Sequence, residues 1–205
     1  DPDVAREFMA SDGPLAPPED LAGIREAADR LARALEAGER IAVHGDYDCD
    51  GICSTAILVS ALRGRGGDVI PFLPSRFHEG YGVAVSTVEA LAEAGARVLV
   101  CVDCGTSALA ALTRAVELGM DPVTLDHHLA GGHRPPGIIA NPALGRPVDD
   151  LPAAAGVVHM LVRALAVRAD RDGLAPDPDE AIDLVALATA ADAVPLVGDN
   201  RRRVA

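Results

Sequence analysis

The stretch His44-Gly45-Asp46-Tyr47-Asp48-Cys49-Asp50-Gly51 decides how the rest of the chain is read. The apolar run Ile41-Ala42-Val43 precedes it, and residues 52–62 follow it with helical spacing. The octapeptide is therefore predicted to be a strand-to-helix turn at the carboxyl end of a parallel strand. In open α/β sheets that edge is where ligands bind. Three carboxylates crowd into the turn beside one imidazole, and that much like charge calls for a neutralising cation. Oxygen ligands with a single imidazole suit Mn²⁺ or Mg²⁺ better than Zn²⁺. The competing reading is an acidic surface turn that caps a helix. The downstream sequence decides between the two.

The same punctuation recurs. Residues 68–73 form a second predicted strand, followed by the loop 74–82, which concentrates Arg76, His78 and two glycines. That loop either reaches a substrate phosphate or is a plain surface connection. Residues 97–102 are nearly all apolar, as a central parallel strand requires. They end in Asp103, and Cys104-Gly105-Thr106-Ser107 leads into a helix reaching Leu118. Residues 122–125 end in Asp126-His127-His128, which is poor core material. Residues 138–140 end in Asn141-Pro142. The order β-α-β-α-β-α-β-β predicts an α/β fold, a five-stranded mainly parallel sheet with helices on both faces. The acidic turn, Asp103 and the Asp-His-His triplet each follow a strand, so they converge on one rim.

Around this centre, residues 1–20 are rich in Pro, Gly and acid and read as an irregular arm. Residues 21–37 are predicted helical, with Leu21, Ile24, Ala28, Leu31 and Leu35 on one face and Gly38 closing the end. Gly64, Gly66 and Gly67 follow a helix rather than a strand, so they are a helix stop and not a phosphate loop. Ser86 is the expected cap of a helix reaching Ala94. The C-terminal part is predicted helical: residues 153–169, a polar break at 170–178, then residues 179–191, which deliver Asp192 ahead of Val194-Pro195. Arg201-Arg202-Arg203 is the one basic cluster, either a phosphate contact or the polar start of a linker. The domain is placed at 21–198, with 199–205 opening the linker.

The 205 residues are 49% apolar and carry a net charge of −13, with no lysine. A core of that size needs no staples. The acidity argues against a broad basic surface that grips a polyanion. Cys101-x-x-Cys104 and Cys49-x₃-Cys53 have spacings that zinc sites use. Cys101, however, lies inside an apolar run, where a buried thiol is ordinary. No signal peptide and no membrane-length apolar run is found, so a reduced, cytoplasmic protein without membrane contact is expected.

Asp46-Tyr47-Asp48-Cys49-Asp50-Gly51, Val102-Asp103-Cys104-Gly105, Asp126-His127-His128 and Thr189-Ala190-Ala191-Asp192-Ala193-Val194-Pro195-Leu196 fall in one order along the chain. They resemble the four motifs of the DHH phosphoesterase superfamily, and most of all its RecJ-type exonucleases specific for single-stranded DNA. Arg76 with Gly80-Tyr81-Gly82, Asn141-Pro142, Ala155-Gly156-Val157 and the ending Val194 to Arg201 add to the likeness. It spans residues 20–203. Cys49 and Thr106 stand where a small apolar residue and Ile are commoner, and His44 occupies a variable position.

The resemblance implies two divalent ions, Mn²⁺ or Mg²⁺. One is held by His44, Asp48 and Asp103, the other by Asp50, Asp103, His127 and Asp192. Asp46 is an additional ligand or lies just behind one. His128 then contacts the scissile phosphate or protonates the leaving oxygen, and Arg76 neutralises a non-bridging oxygen. The implied activity is 5′→3′ hydrolysis of single-stranded DNA to mononucleotides in repair and recombination. It implies a monomer, with a single-strand-binding protein or a helicase as partner. Siblings that act on pAp, short oligoribonucleotides or cyclic dinucleotides share the ligands, and non-catalytic DHH-like scaffolds share the fold. RecJ-type proteins continue into further domains, so a catalytic-domain fragment is expected.

Overall fold

The computed structural model describes residues 13–77, 80–145, 151–169 and 177–205. Strand β1 (Ile41–His44) lies at the middle of the folding pattern, between β2 (Val69–Phe72) and β3 (Val98–Val102). β4 (Asp121–Leu125) and β5 (Ile138–Ala140) extend the sheet beyond β3. The order is β2-β1-β3-β4-β5 and every pairing is parallel.

Side chains that alternate across the pleat divide the core into two layers. Ile41, Val43, Val98, Val100 and Val102 face one layer. It is built from α1 (Ile24–Glu36), α2 (Cys49–Arg63), α5 (Ala154–Ala169) and α6 (Ile182–Ala191). Ala42, Leu99 and Cys101 face the other, under α3 (Val85–Glu93) and α4 (Leu109–Glu117). A last helix, α7 (Gly198–Val204), packs on α6. Because both faces are covered, β3 is buried throughout, which explains its unbroken apolar run. Truncating a fully buried leucine here, Leu58 or Leu99, would cost about 2–5 kcal/mol.

Register positions the site. His44 pairs with Cys101, Val102 with Leu125, and Leu125 with Ala140. The ladder runs one residue further: Gly45 N–H donates to Phe72 O, Asp103 N–H to Leu125 O, and Asp126 N–H to Ala140 O. Gly45, Asp103, Asp126 and Asn141 therefore stand along one carboxyl edge. The chain goes from β1 to β2 on one side and returns to β3 on the other. This reversal opens a crevice between β1 and β3, the place where such sheets bind ligands.

Three local expectations change. The helix expected at 52–62 starts at Cys49, because Asp48 caps it, so half of the opening octapeptide is helix or cap. Ser86 caps nothing: α3 begins at Val85 behind Ala84, without a side-chain cap. The triple arginine lies on a helix, with Arg203 buried. The two cysteine pairs are free thiols in opposite layers, Cys53 in one and Cys101 with Cys104 in the other, which separates them as a zinc set. The break at 170–178 falls mostly outside the described residues. No helix among the described residues is long and apolar enough to cross a membrane.

Candidate metal centre

The turn after β1 folds back on itself. Asp48 Oδ1 accepts the amide of Gly51 at 2.9 Å. A Cβ on Gly51 would lie 2.5 Å from the backbone N and O of Asp46, so only glycine lets the first turn of α2 rest there. Asp46 is consequently buried. After β3 the chain turns just as sharply. Asp103 has φ 60°, a left-handed conformation that costs an L-residue ~1–2 kcal/mol and that Asp and Asn tolerate best. Gly105, at φ 107°, lacks the Cβ that would meet Cys101 Cβ at 2.9 Å. Backbone strain of this kind gathers at functional sites.

These turns bring distant acids together. Ligand-capable atoms of Asp46, Asp48 and Asp103 lie within 4.8 Å of one another. The same is true of Asp50, His127 and Asp192, and of Asp103, His127 and His128. His127 Nε2 is 3.3 Å from Asp103 Oδ1, 3.7 Å from Asp192 Oδ2 and 3.8 Å from Asp50 Oδ2. That nitrogen, Asp103 Oδ2 and Asp46 Oδ1 are buried and make no hydrogen bond among the described residues. Carboxylate oxygens with one imidazole nitrogen, buried and unpaired, are the donor set that Mn²⁺ or Mg²⁺ takes, so the residues fit the implied ions.

Electrostatics agree. Burial, with the charges of Asp50 and Asp48, pushes the Asp103 carboxyl up to about 8 against the opposing pull of His127. Burial alone would depress His127, but the Asp103 carboxylate 3.3 Å away, with the fields of Asp50 and Asp192, raises it to about 9. Burial also raises Asp46 and Asp50. Asp103 and His127 thus favour their protonated forms, which relieves the carboxylate repulsion a cation would otherwise relieve.

Asp50 has a second engagement. Its Oδ2 accepts the amide of Ala154 at 2.6 Å and its Oδ1 that of Ala155 at 2.8 Å. It therefore satisfies the N-terminal amides of α5 as well as facing His127. Asp126 stands behind the histidines. Its Oδ1 accepts the amides of His127 and His128 and pairs with His128 Nδ1 at 2.8 Å, while its Oδ2 accepts Thr106 N–H at 3.0 Å. Burial works against its charge, yet the bonds from His128 and Thr106 outweigh it and hold Asp126 at about 2. With Nδ1 so occupied, the exposed His128 keeps Nε2 for another partner.

His44 belongs to none of the three groups. It is buried, with Nδ1 3.7 Å from Cys104 Sγ and its ring 5.0 Å from that of Phe72. Burial lowers it to about 4, so it is neutral, and its Nε2 makes no hydrogen bond among the described residues. Arg76 is exposed with its guanidinium 4.6 Å over the Tyr47 ring, close enough for its charge to act on Asp46. His78 lies outside the described residues. Sequence reasoning singled out neither the ring of Tyr81, edge-on to His128 at 5.8 Å, nor the bonds made by Thr106 and Asn141. Asn141 carried a usable signal, since it follows β5 at the same sheet edge as the acids.

The family model described as "DHH family, N-terminal domain" matches residues 40–189. The single-stranded-DNA-specific exonuclease RecJ of Thermus thermophilus is 46% identical over 184 residues, which cover 90% of this chain and 27% of that protein. RecJ of Escherichia coli is 38% identical over 209 residues, covering 96% of this chain and 36% of the relative. The chain thus spans about a quarter to a third of these relatives' length. A crystal structure of exonuclease RecJ bound to manganese superposes with a TM-score of 0.82 at 45% identity, covering 90% of this chain and 46% of that one. The Thermus thermophilus enzyme in complex with Mn²⁺ gives 0.80 at 41% identity, covering 94% of this chain and 27% of that one.

Proposed function

Since the chain belongs to the DHH family, we propose that it is a metal-dependent phosphodiesterase that hydrolyses single-stranded DNA from the 5′ end. The observation that carries this is Asp103, which lies within ligand distance both of Asp46 with Asp48 and of His127 with His128. One carboxylate shared between two donor sets is the arrangement that two-cation phosphoester hydrolysis needs. Asp46, Asp48 and Asp103 would hold one ion, and Asp50, His127 and Asp192 the other, with Asp103 between them. When bound, the cations supply Lewis acidity and neutralise charge on the phosphoryl group.

The chain's own residues do the rest. Asp126 holds His128 through Nδ1, so Nε2 is the atom that donates a hydrogen bond to the scissile phosphate or a proton to the leaving oxygen. Arg76, braced on Tyr47, offers a positive charge beside the acidic turn for a non-bridging oxygen. The exposed Tyr81, beside His128, and the exposed Phe77, next to Arg76 in the chain, offer rings to unstacked bases, which favours a single strand over a duplex. The net charge of −13 leaves binding dependent on these few contacts and therefore weak.

The test is a nuclease assay with Mn²⁺ on single strands labelled at the 5′ or the 3′ end, beside a duplex and beside pAp, short oligoribonucleotides and a cyclic dinucleotide. Release of 5′-label as mononucleotide from the single strand is expected. Turnover of the small substrates alone would replace this reading with that of a nucleotide phosphoesterase. Calorimetry showing no Mn²⁺ binding would identify a scaffold.

A further inference from the structure

Asn141 is the first residue after β5, and 4% of its surface is exposed. Its Nδ2 donates to Thr106 Oγ1 at 2.8 Å and to the carbonyl of His128 at 2.9 Å. Its Oδ1 accepts the amide of Ala143 at 2.8 Å and so caps the 3-10 turn Pro142–Leu144. One side chain therefore ties together the ends of three adjacent strands: the loop after β3 through Thr106, the triplet after β4 through His128, and its own position after β5. Thr106 in turn donates its amide to Asp126, the residue that holds His128 Nδ1. His128 is thus held at its ring and its amide by Asp126, and at its carbonyl by Asn141. Its side chain is otherwise 44% exposed. Without the Asn141 bond the His128 carbonyl is released, and the backbone that carries the ring is fixed on its amide side alone.

We propose that Asn141 is a positioning residue that aims His128 Nε2 at the substrate phosphate, an inference that rests on the phosphodiesterase reading above. The two ends of the amide do different jobs, and this makes the idea separable from simple folding. Asn141→Asp keeps the oxygen that caps Ala143 and loses the two donors. Asn141→Ala loses everything. Thr106→Val removes only the hydroxyl that anchors the amide.

The 205-residue chain and the three variants would be compared with Mn²⁺ and single-stranded DNA for kcat, KM and Mn²⁺ affinity. The His128 ring resonances of the metal-free proteins would be recorded by NMR. For Asn141→Asp, kcat is expected to fall about 10–100-fold, in the range for outer partners of a catalytic group, with KM and Mn²⁺ affinity within about threefold of the parent. Thr106→Val should fall in the same direction by less. In both, the His128 ring signals should broaden or split while the backbone spectrum stays folded. A folded variant with parental kcat, or one whose loss follows KM or Mn²⁺ affinity, would overturn the proposal. Should Asn141→Asp fail to fold, Thr106→Val decides by the same readouts. If the parent chain hydrolyses nothing, the phosphodiesterase reading fails by itself. Unchanged His128 signals in the variants would still refute the positioning role.

Discussion

His127 Nε2 sits 3.3 Å from Asp103 Oδ1, although the two residues follow different strands and each is buried or nearly so. Asp50 and Asp192 close on the same nitrogen from other elements. Asp103 and His127 are both shifted toward their protonated forms. Metal uptake must therefore displace protons from the pair.

Stability of the metal-free chain should consequently fall as pH rises. His127 is raised from 6.5 to about 9 and Asp103 from 3.8 to about 8. A group raised in the folded state stabilises fully below its unfolded value and loses that contribution as pH climbs to the folded value. For this pair the loss is completed between pH 6.5 and 9. Thermal melts in EDTA should show a falling midpoint across that window. Added Mn²⁺ should raise the midpoint more at pH 8.5 than at pH 6.5.

The opposite sign holds for His44. Burial lowers it from 6.5 to about 4, so the unfolded chain binds its proton first as pH drops. Its contribution, about 3 kcal/mol for a shift of this size, is lost between pH 6.5 and pH 4. Because Asp103 acts with the opposite sign over this range, the readout is the difference: from pH 6.5 to pH 4 the parent chain should lose about 3 kcal/mol relative to His44→Leu in denaturant titrations.

Replacing Asp103 separates chemistry from backbone. Asp103→Asn keeps a residue that accepts φ 60° and should stay folded, yet lose hydrolysis by about 10²–10³-fold or more. Asp103→Ala should lose activity equally and a further ~1 kcal/mol of stability, because alanine tolerates the left-handed conformation less well. Retained activity in either variant would count against the centre. Nuclease assays and urea unfolding measure the two effects.

Asp50→Ala leaves the amides of Ala154 and Ala155 without their acceptor. A loss of about 2 kcal/mol in denaturant unfolding is expected, even without metal. Were Asp50 only a metal ligand, its removal from the metal-free chain would relieve repulsion and stabilise it.

Gly51→Ala should be worse than its size suggests. The added methyl meets the Asp46 backbone at 2.5 Å, so either the first turn of α2 or the acidic turn must shift. A destabilisation of about 1–3 kcal/mol and weaker Mn²⁺ binding are expected, read by unfolding and calorimetry.

Apolar runs bounded by glycines made the alternation of strands and helices legible in the chain. Strand β3 and helix α5 fall within a residue of where the pattern puts them, because burial on both faces leaves an unbroken apolar signature. The acids at strand ends were legible for the same reason, since a parallel sheet collects all its carboxyl ends on one edge. The start of α2 at Cys49 was not, because acidic residues next to a cap look like turn.

By itself the sequence indicated the fold class, the sheet edge on which the acidic turn, Asp103 and Asp126-His127-His128 stand, and the kind of cation such groups suit, while Asp192 joined them only through the family resemblance. Those follow from local periodicity and from the chemistry of each side chain. Only the tertiary structure decided that β1 lies between β2 and β3, that Asp50 also caps a helix 104 residues away, that His44 stands apart beside Cys104, and that Asn141 grips His128. Each of these depends on which atoms the packing of separate elements brings within three or four ångströms, and no spacing along a chain encodes that distance.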